Sequence, residues 1–271
     1  MHSHTISKLG AGELLRIWRE RRGMSQLALA AEADISQRHL SCLENGRASP
    51  SRAMVLRLAQ TLDVPLRERN NLLISAGYAP LYKDRSLESS DLSMAMSGIR
   101  RLLSAHEPYP ALVIDRHWNL VEANGAVFAL LQGCDPELLQ DPVNVVRISL
   151  HPRGLAPRIA NLAEWRGHLV SRLERQRRLQ LDTRIEELLA EIWQLTPDLP
   201  SERDEAALEN FGEIAVPLRL RMPFGEVSFL SCVATFGTAV DVTLSELSLE
   251  LFFPENAQTA AMLSTPRGSA S

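Results

Sequence analysis

Ser36, Gln37, Arg38 and Ser41 fall within six residues, and their types are those that read base edges in DNA. An arginine presents two donors to guanine O6 and N7, and a glutamine matches adenine N6 and N7. Each good bidentate pair contributes about 1–3 kcal/mol of discrimination. Gln26 ahead of them, and Asn45 and Arg47 behind, are types that hold phosphate oxygens. A second set further along has different chemistry. Trp118, Phe128, Trp165, Leu169, Trp193, Phe229 and Phe236 are bulky apolar side chains able to wall a cavity, and Arg147, His151, Arg158 or His168 can meet a carboxylate. Each reading has a plainer competitor: solvated helix residues for the first set, ordinary core and surface residues for the second.

Catalytic chemistry has no comparable footing. Seven histidines show no HExxH or similar spacing, and there is no GxSxG, Walker loop or GxGxxG. Gly10-Ala11-Gly12 stands isolated before a helix. His2 and His4 form at most a casual metal pair, so neither a metal nor a cofactor is expected, nor is an enzyme. Cys42, Cys134 and Cys232 are odd in number, far apart and without a CxxC, which excludes a disulfide framework and a cysteine-rich zinc site and suits a reducing cytoplasm.

The chain has 271 residues, 45% hydrophobic and 23% charged, the composition of a globular protein of two ordinary domains. No run approaches the ~18 apolar residues of a membrane helix, and no leader pattern opens the chain, so a cytoplasmic protein without membrane contact is expected. The net charge of −4 is unevenly spread. Residues 1–80 carry 11 Lys/Arg against 7 Asp/Glu, and the remaining 191 carry 18 against 26. A basic head on an acidic body lets one end approach a polyanion while the other stays away.

Five short helices are needed to position the first set. Gly12–Arg22 stops at Gly23, Ser25 caps Gln26–Ala33 with Leu27, Ala30 and Ala31 inward, and Ser36 caps a third helix to Glu44, ended by Asn45-Gly46. Ser49-Pro50 opens the fourth, with Met54, Leu58 and Leu62 inward, and a fifth follows Pro65 and closes at Gly77. Two helices joined by a tight Asp34-Ile35 turn form a helix-turn-helix. A polar stretch over 81–90 reads as a linker, with Asp91 capping a helix through Met94, Ile99, Leu102 and Leu103.

The body opens with strands over Ala111–Asp115 and Trp118–Ala123, then a helix capped by Asn124. Leu162, Trp165, Leu169 and Leu173 repeat at helical spacing, with Arg166, Arg172, Arg175 and Arg177 opposite, and Leu181–Leu195 continues in helix. The period then changes to two. Ile214, Val216, Leu218 and Leu220 form one strand, with Pro217 favouring an edge; Val227–Phe236 forms the next, and Leu247, Leu249, Leu251 and Phe253 the last. The expected fold class is α+β: an all-α five-helix head, then a roughly five-stranded antiparallel sheet with helices packed on one face and a helical insertion.

Gly23-Met24-Ser25-Gln26, Leu29-Ala30, Ile35-Ser36, Leu40, Leu43-Glu44-Asn45-Gly46 and Leu56-x-x-Ala59-x-x-Leu62 resemble the phage-repressor-like (Cro/C1, or XRE) helix-turn-helix family, whose fold is lambda-repressor-like. That resemblance implies a phosphate-contacting role for Gln26 and a structural ion pair between Arg19 and Glu44. Cys42 stands where many relatives place a longer polar reader. The strand–turn–strand–Asn–helix opening of the body resembles PAS domains. Longer stretches, among them Arg67-Glu68-Arg69-Asn70, His106-Glu107-Pro108-Tyr109-Pro110-Ala111, Asp115-Arg116-His117-Trp118, Leu150-His151-Pro152 and Asn161-Leu162-Ala163-Glu164-Trp165-Arg166, are similar to MmyB-like transcription regulators. This implies a DNA-binding domain over 1–80, a linker and connecting helix over 81–106, a PAS-like ligand-binding domain over 107–264 and a flexible tail over 265–271. Its partners would be a double-stranded operator, a fatty-acid-like apolar ligand and a second copy of the chain, since one such module reads only a half-site. The alternative keeps the DNA-binding head but makes the body a protein-interaction module, antitoxin- or recruitment-like, with no small ligand.

Overall fold

The computed structural model describes residues 9–197, 199, 216–237 and 239–264. His2, His4, Ile214, Ala215 and the expected tail over 265–271 lie outside the described residues. Two compact units divide the chain.

In the first unit the expected five helices form: α1 Ala11–Arg21, α2 Gln26–Glu32, α3 Gln37–Glu44, α4 Arg52–Thr61 and α5 Leu66–Ser75. Local chemistry sets their ends. Ser25 Oγ accepts the Ala28 N–H and Ser36 Oγ the His39 N–H, both at 3.1 Å. Gly23 and Gly46 sit in the left-handed region at φ +64° and +68°, where a side chain would be strained. Leu15, Trp18, Leu29, Leu40, Leu43, Leu58 and Leu72 share one buried core. Gly12 has a packing role: a Cβ there would lie 2.1 Å from the Leu43 carbonyl oxygen, so glycine is what lets α1 approach the end of α3.

Two expectations for these helices need correction. The fourth helix is opened by Ser51, whose Oγ accepts from Met54 N, and Pro50 precedes the cap. Either serine fits the local rule, and the buried position of Pro50 selects Ser51. In α2, Leu27 is 63% exposed and Ala31 is exposed, while Leu29 and Ala30 point inward. Seven residues make too short a helix for its own periodicity to settle the inner face. Residues 175–186 and 238–245 also belong to this unit. Leu181 packs on its core, and Arg21 Nη1 donates to the carbonyls of Arg177 and Gln180 at 2.6 and 3.1 Å.

The second unit is α+β. A 3-10 turn, Ser90–Leu92, runs into α6, Ser93–Ala105. Asp91 lies within that turn and does not cap α6, because Leu92 already has helical backbone angles. β1 (Ala111–Ile114) and β2 (Leu120–Ala123) follow, joined by a turn in which the Asp115 carboxylate accepts from His117 and Asn119 N–H groups at 2.8 and 2.9 Å. Asn124 is a buried junction: Oδ1 accepts from Ala111 N and from Val127 N of α7 (Gly125–Leu131), while Nδ2 donates to the Leu103 and Tyr109 carbonyls. Then come α8 (Val145–Leu150), α9 (Leu162–Leu179), α10 (Thr183–Leu195), β3 (Leu218–Met222), β4 (Gly225–Thr235), the short α11 (Val242–Ser245, in the first unit), β5 (Ser248–Pro254) and α12 (Ala257–Ser264).

The five strands form one antiparallel sheet in the order β2-β1-β5-β4-β3, which puts β3, just after Pro217, at an edge. β1, an inner strand of this order, has all four of its residues buried. Arg166 is a further correction. It is 4% exposed, not on the polar face of α9, and its guanidinium lies 5.0 Å over the Trp193 ring with bonds to Thr196.

Candidate functional site

The first unit displays its polar residues on α3. Gln37 and Arg38, in the first turn, are exposed, and their side chains make no hydrogen bond or ion pair among the described residues. Ser36 uses an oxygen lone pair to cap α3 and keeps its O–H as a donor. Ser41 is half-buried, and Asn45 Nδ2 donates to the Ser41 carbonyl at 2.8 Å and to its hydroxyl at 3.3 Å. Arg47 is exposed just beyond the helix, and Cys42 is a half-buried free thiol. Gln26 differs from a free phosphate contact. Its Nε2 donates to Glu44 Oε2 at 2.9 Å, leaving one amide donor for any external partner.

Beneath this surface lies the expected Arg19–Glu44 pair. Arg19 Nε and Nη2 meet the two Glu44 oxygens at 2.7 and 2.9 Å, and Nη1 donates to the Met24 carbonyl at 2.9 Å. The hydrogen bond to Glu44 raises the Arg19 pKa above its ordinary value. The pair ties α1 and the loop after it to the end of α3, so the helix carrying Gln37 and Arg38 has a fixed base.

In the second unit, side chains from β1, β2, α7, α8, α9, β3 and β5 line an apolar cavity of about 80 Å3. Apart from Ser149 and Glu250 its walls are apolar, and Trp118, Trp165 and Leu169 are the sequence-expected residues that it contains. Trp165 Nε1 donates to Ser149 Oγ at 2.9 Å, which orients the ring across the space. The other nominees lie elsewhere. Phe128 is 56% exposed, on the turn of α7 facing away, while its neighbours Leu130 and Leu131 are wall residues. Phe229 is buried edge-on to Phe252, with ring centroids 6.3 Å apart; Phe252 reaches the cavity and Phe229 does not. Phe236 and Trp193 are not among the walls.

The expected cations are engaged with other groups. Arg147 is bidentate with Glu191, at 2.5 and 2.8 Å. Arg158 Nη2 donates to the Leu130 carbonyl at 2.6 Å, and His151 Nδ1 accepts the Arg153 N–H at 3.0 Å. A further cation that bonds to a wall residue is one the sequence assigned to a solvated face. Arg172 lies 4.4 Å over the Trp118 ring and bonds to Glu250, a wall residue. Glu250 escaped notice because the odd residues of β5 carry the conspicuous apolar alternation, whereas Glu250 and Phe252, on the even face, line the cavity.

His168 stacks on Trp165, with centroids 5.1 Å apart, and its buried Nε2 has no hydrogen-bond partner. Burial, with Arg172 nearby, pushes its pKa down to about 4. The folded chain therefore favours neutral His168, and the unfolded chain takes up its proton first as pH falls. Stability is lost as pH drops from about 6.5 towards 4. A melting temperature that falls over this window in the native protein, and falls less in His168→Phe, is the expected result. Equal slopes in the two proteins would remove His168 as the cause.

A helix-turn-helix with exposed polar residues on α3, in one chain with an α+β unit that contains an apolar cavity, defines a DNA-binding transcription regulator with a ligand-binding domain. Residues 11–72 match a helix-turn-helix domain, and residues 95–265 match the MmyB-like transcription regulator ligand binding domain. The chain belongs to the MmyB-like transcription regulators. No curated protein matches it. Among solved structures it is similar to the structure of an RNA-binding light-oxygen-voltage receptor at 14% identity and a TM-score of 0.25, covering 89% of this chain and 58% of that one. The chain thus spans less than two thirds of that receptor's length. No helix among the described residues is long and apolar enough to cross a membrane.

Proposed function

We propose that this regulator binds its operator as a homodimer through α3, and that an apolar, acyl-like molecule entering the cavity changes its affinity for DNA. The apolar cavity is the observation that carries the ligand-dependent part. Gln37 and Arg38 read base edges with Ser36 and Ser41 beside them in the groove, while Gln26, Asn45 and Arg47 hold the backbone. Two copies are needed because each α3 covers one half-site, and matched half-sites lie about 34 Å apart. The ligand acts by ordinary linkage, altering DNA affinity only as far as it binds the two conformations unequally. Trp118, Trp165 and Leu169 contact it directly. An enzymatic role has no support in this reading, and a cytoplasmic location fits it.

Paired substitutions test the DNA half. Arg38→Ala is expected to relax base preference at one position of a randomised site, by about 1–3 kcal/mol. Arg47→Ala is expected to weaken binding to every sequence alike and reduce the salt slope by about one. An unchanged preference profile for Arg38→Ala would remove it as a reader.

A further inference from the structure

Among the described residues, the walls of the cavity include no cation for a ligand head group. Glu250 is the single charged residue of its described walls, 4% exposed, and its carboxylate is bonded to Arg172. The charges of this pair cancel. Arg172 is held on the other side by Trp118, and its buried Nη1 has no hydrogen-bond partner. Ser149 adds a hydroxyl oxygen already facing Trp165 Nε1. His168, stacked behind Trp165, is neutral near pH 7 because burial depresses its pKa.

An ionised carboxylate entering here would put two negative charges against one positive among apolar walls, beside a Glu250 that is itself buried. An unmatched buried charge is strongly unfavourable. A neutral hydrogen-bonding group adds no charge, and its oxygen can accept from the O–H of Ser149, a wall residue whose own oxygen accepts from Trp165. We propose that the cavity takes an uncharged apolar molecule bearing an amide or hydroxyl group, in preference to an ionised fatty acid. This rests on the reading of the cavity as the ligand site and specifies its ligand class. The present volume is below the ~150 Å3 of a cavity that holds benzene, so a longer tail requires the walls to part. That cost is common to ligands sharing a tail and leaves the head-group preference intact.

Octanamide and octanoate share a tail and differ in charge. Calorimetric titration of the full chain with each, near pH 7.5, is expected to show octanamide binding at least about tenfold more tightly. Glu250→Gln keeps the shape and leaves Arg172 unmatched; octanoate is then expected to gain at least about tenfold, with no such gain for octanamide. Octanoate binding the native protein as tightly as octanamide, or more tightly, would overturn the neutral-ligand inference while keeping the cavity as the ligand site. Failure of both probes to bind would overturn the ligand-site reading, and this inference with it. The native comparison stands without the variant, so a misfolded Glu250→Gln protein does not rescue the idea.

Discussion

Replacing Glu44 by alanine is expected to destabilise the helix-turn-helix unit by about 3–5 kcal/mol. Glu44 is buried and accepts three hydrogen bonds, two from Arg19 and one from Gln26. Alanine would leave a guanidinium buried at 8% exposure with the Met24 carbonyl at 2.9 Å and the half-exposed Glu20 carboxylate, at the long distance of 3.5 Å, as its remaining acceptors. The damage comes from a buried charge left with one weak, exposed counter-charge, and not from the loss of an attraction as such. Two hydrophobic residues in place of the pair, as in Arg19→Met with Glu44→Leu, should recover much of the loss. Amide hydrogen exchange over residues 11–75 measures both. A loss below about 1 kcal/mol in Glu44→Ala would mean that water reaches the pair. DNA affinity should fall with stability in the single variant, because α3 loses its tie to α1.

The second large effect is expected at Trp165. Trp165→Ala should cost the ligand-binding unit about 3–5 kcal/mol, the usual range for a buried large aromatic. The ring is 4% exposed, stacks on His168 and bonds Ser149 across the cavity. Its removal joins the space of the side chain to the existing void. An apolar filler should therefore restore part of what is lost. Indole is expected to raise the melting temperature of Trp165→Ala more than that of the native protein, by mass action on the enlarged hole. Equal shifts in the two proteins would show that Trp165 does not wall the cavity.

These two sites were legible in the sequence to different degrees. Arg19 and Glu44 stand out only through the resemblance of the surrounding residues to a known helix-turn-helix family. Ser25, Ser36 and Asn124 could be identified as caps because a cap acts on an N–H three residues away. The opening of α4 was harder, since Ser49-Pro50 and Ser51 both satisfy local rules and burial of Pro50 decides between them. Phe128 and Arg172 mark the sharper boundary. Phe128 lies in an apolar run on α7, yet its neighbours face the cavity. In the sequence Arg172 reads as one of four arginines on a single polar stripe, and its partner Glu250 is 78 residues away on β5.

The amino-acid order alone determined most helix ends of the first unit, the spacing of the polar residues on α3 and the two-residue period of the sheet. Each of these depends on backbone hydrogen bonding and side-chain repeat over a few neighbouring positions. The tertiary structure decided which face of β5 turns to the cavity, which aromatics line it, and which carboxylate neutralises each arginine. Those outcomes follow from packing between segments far apart in the chain, where the choice among equally apolar or equally charged side chains has no local cause.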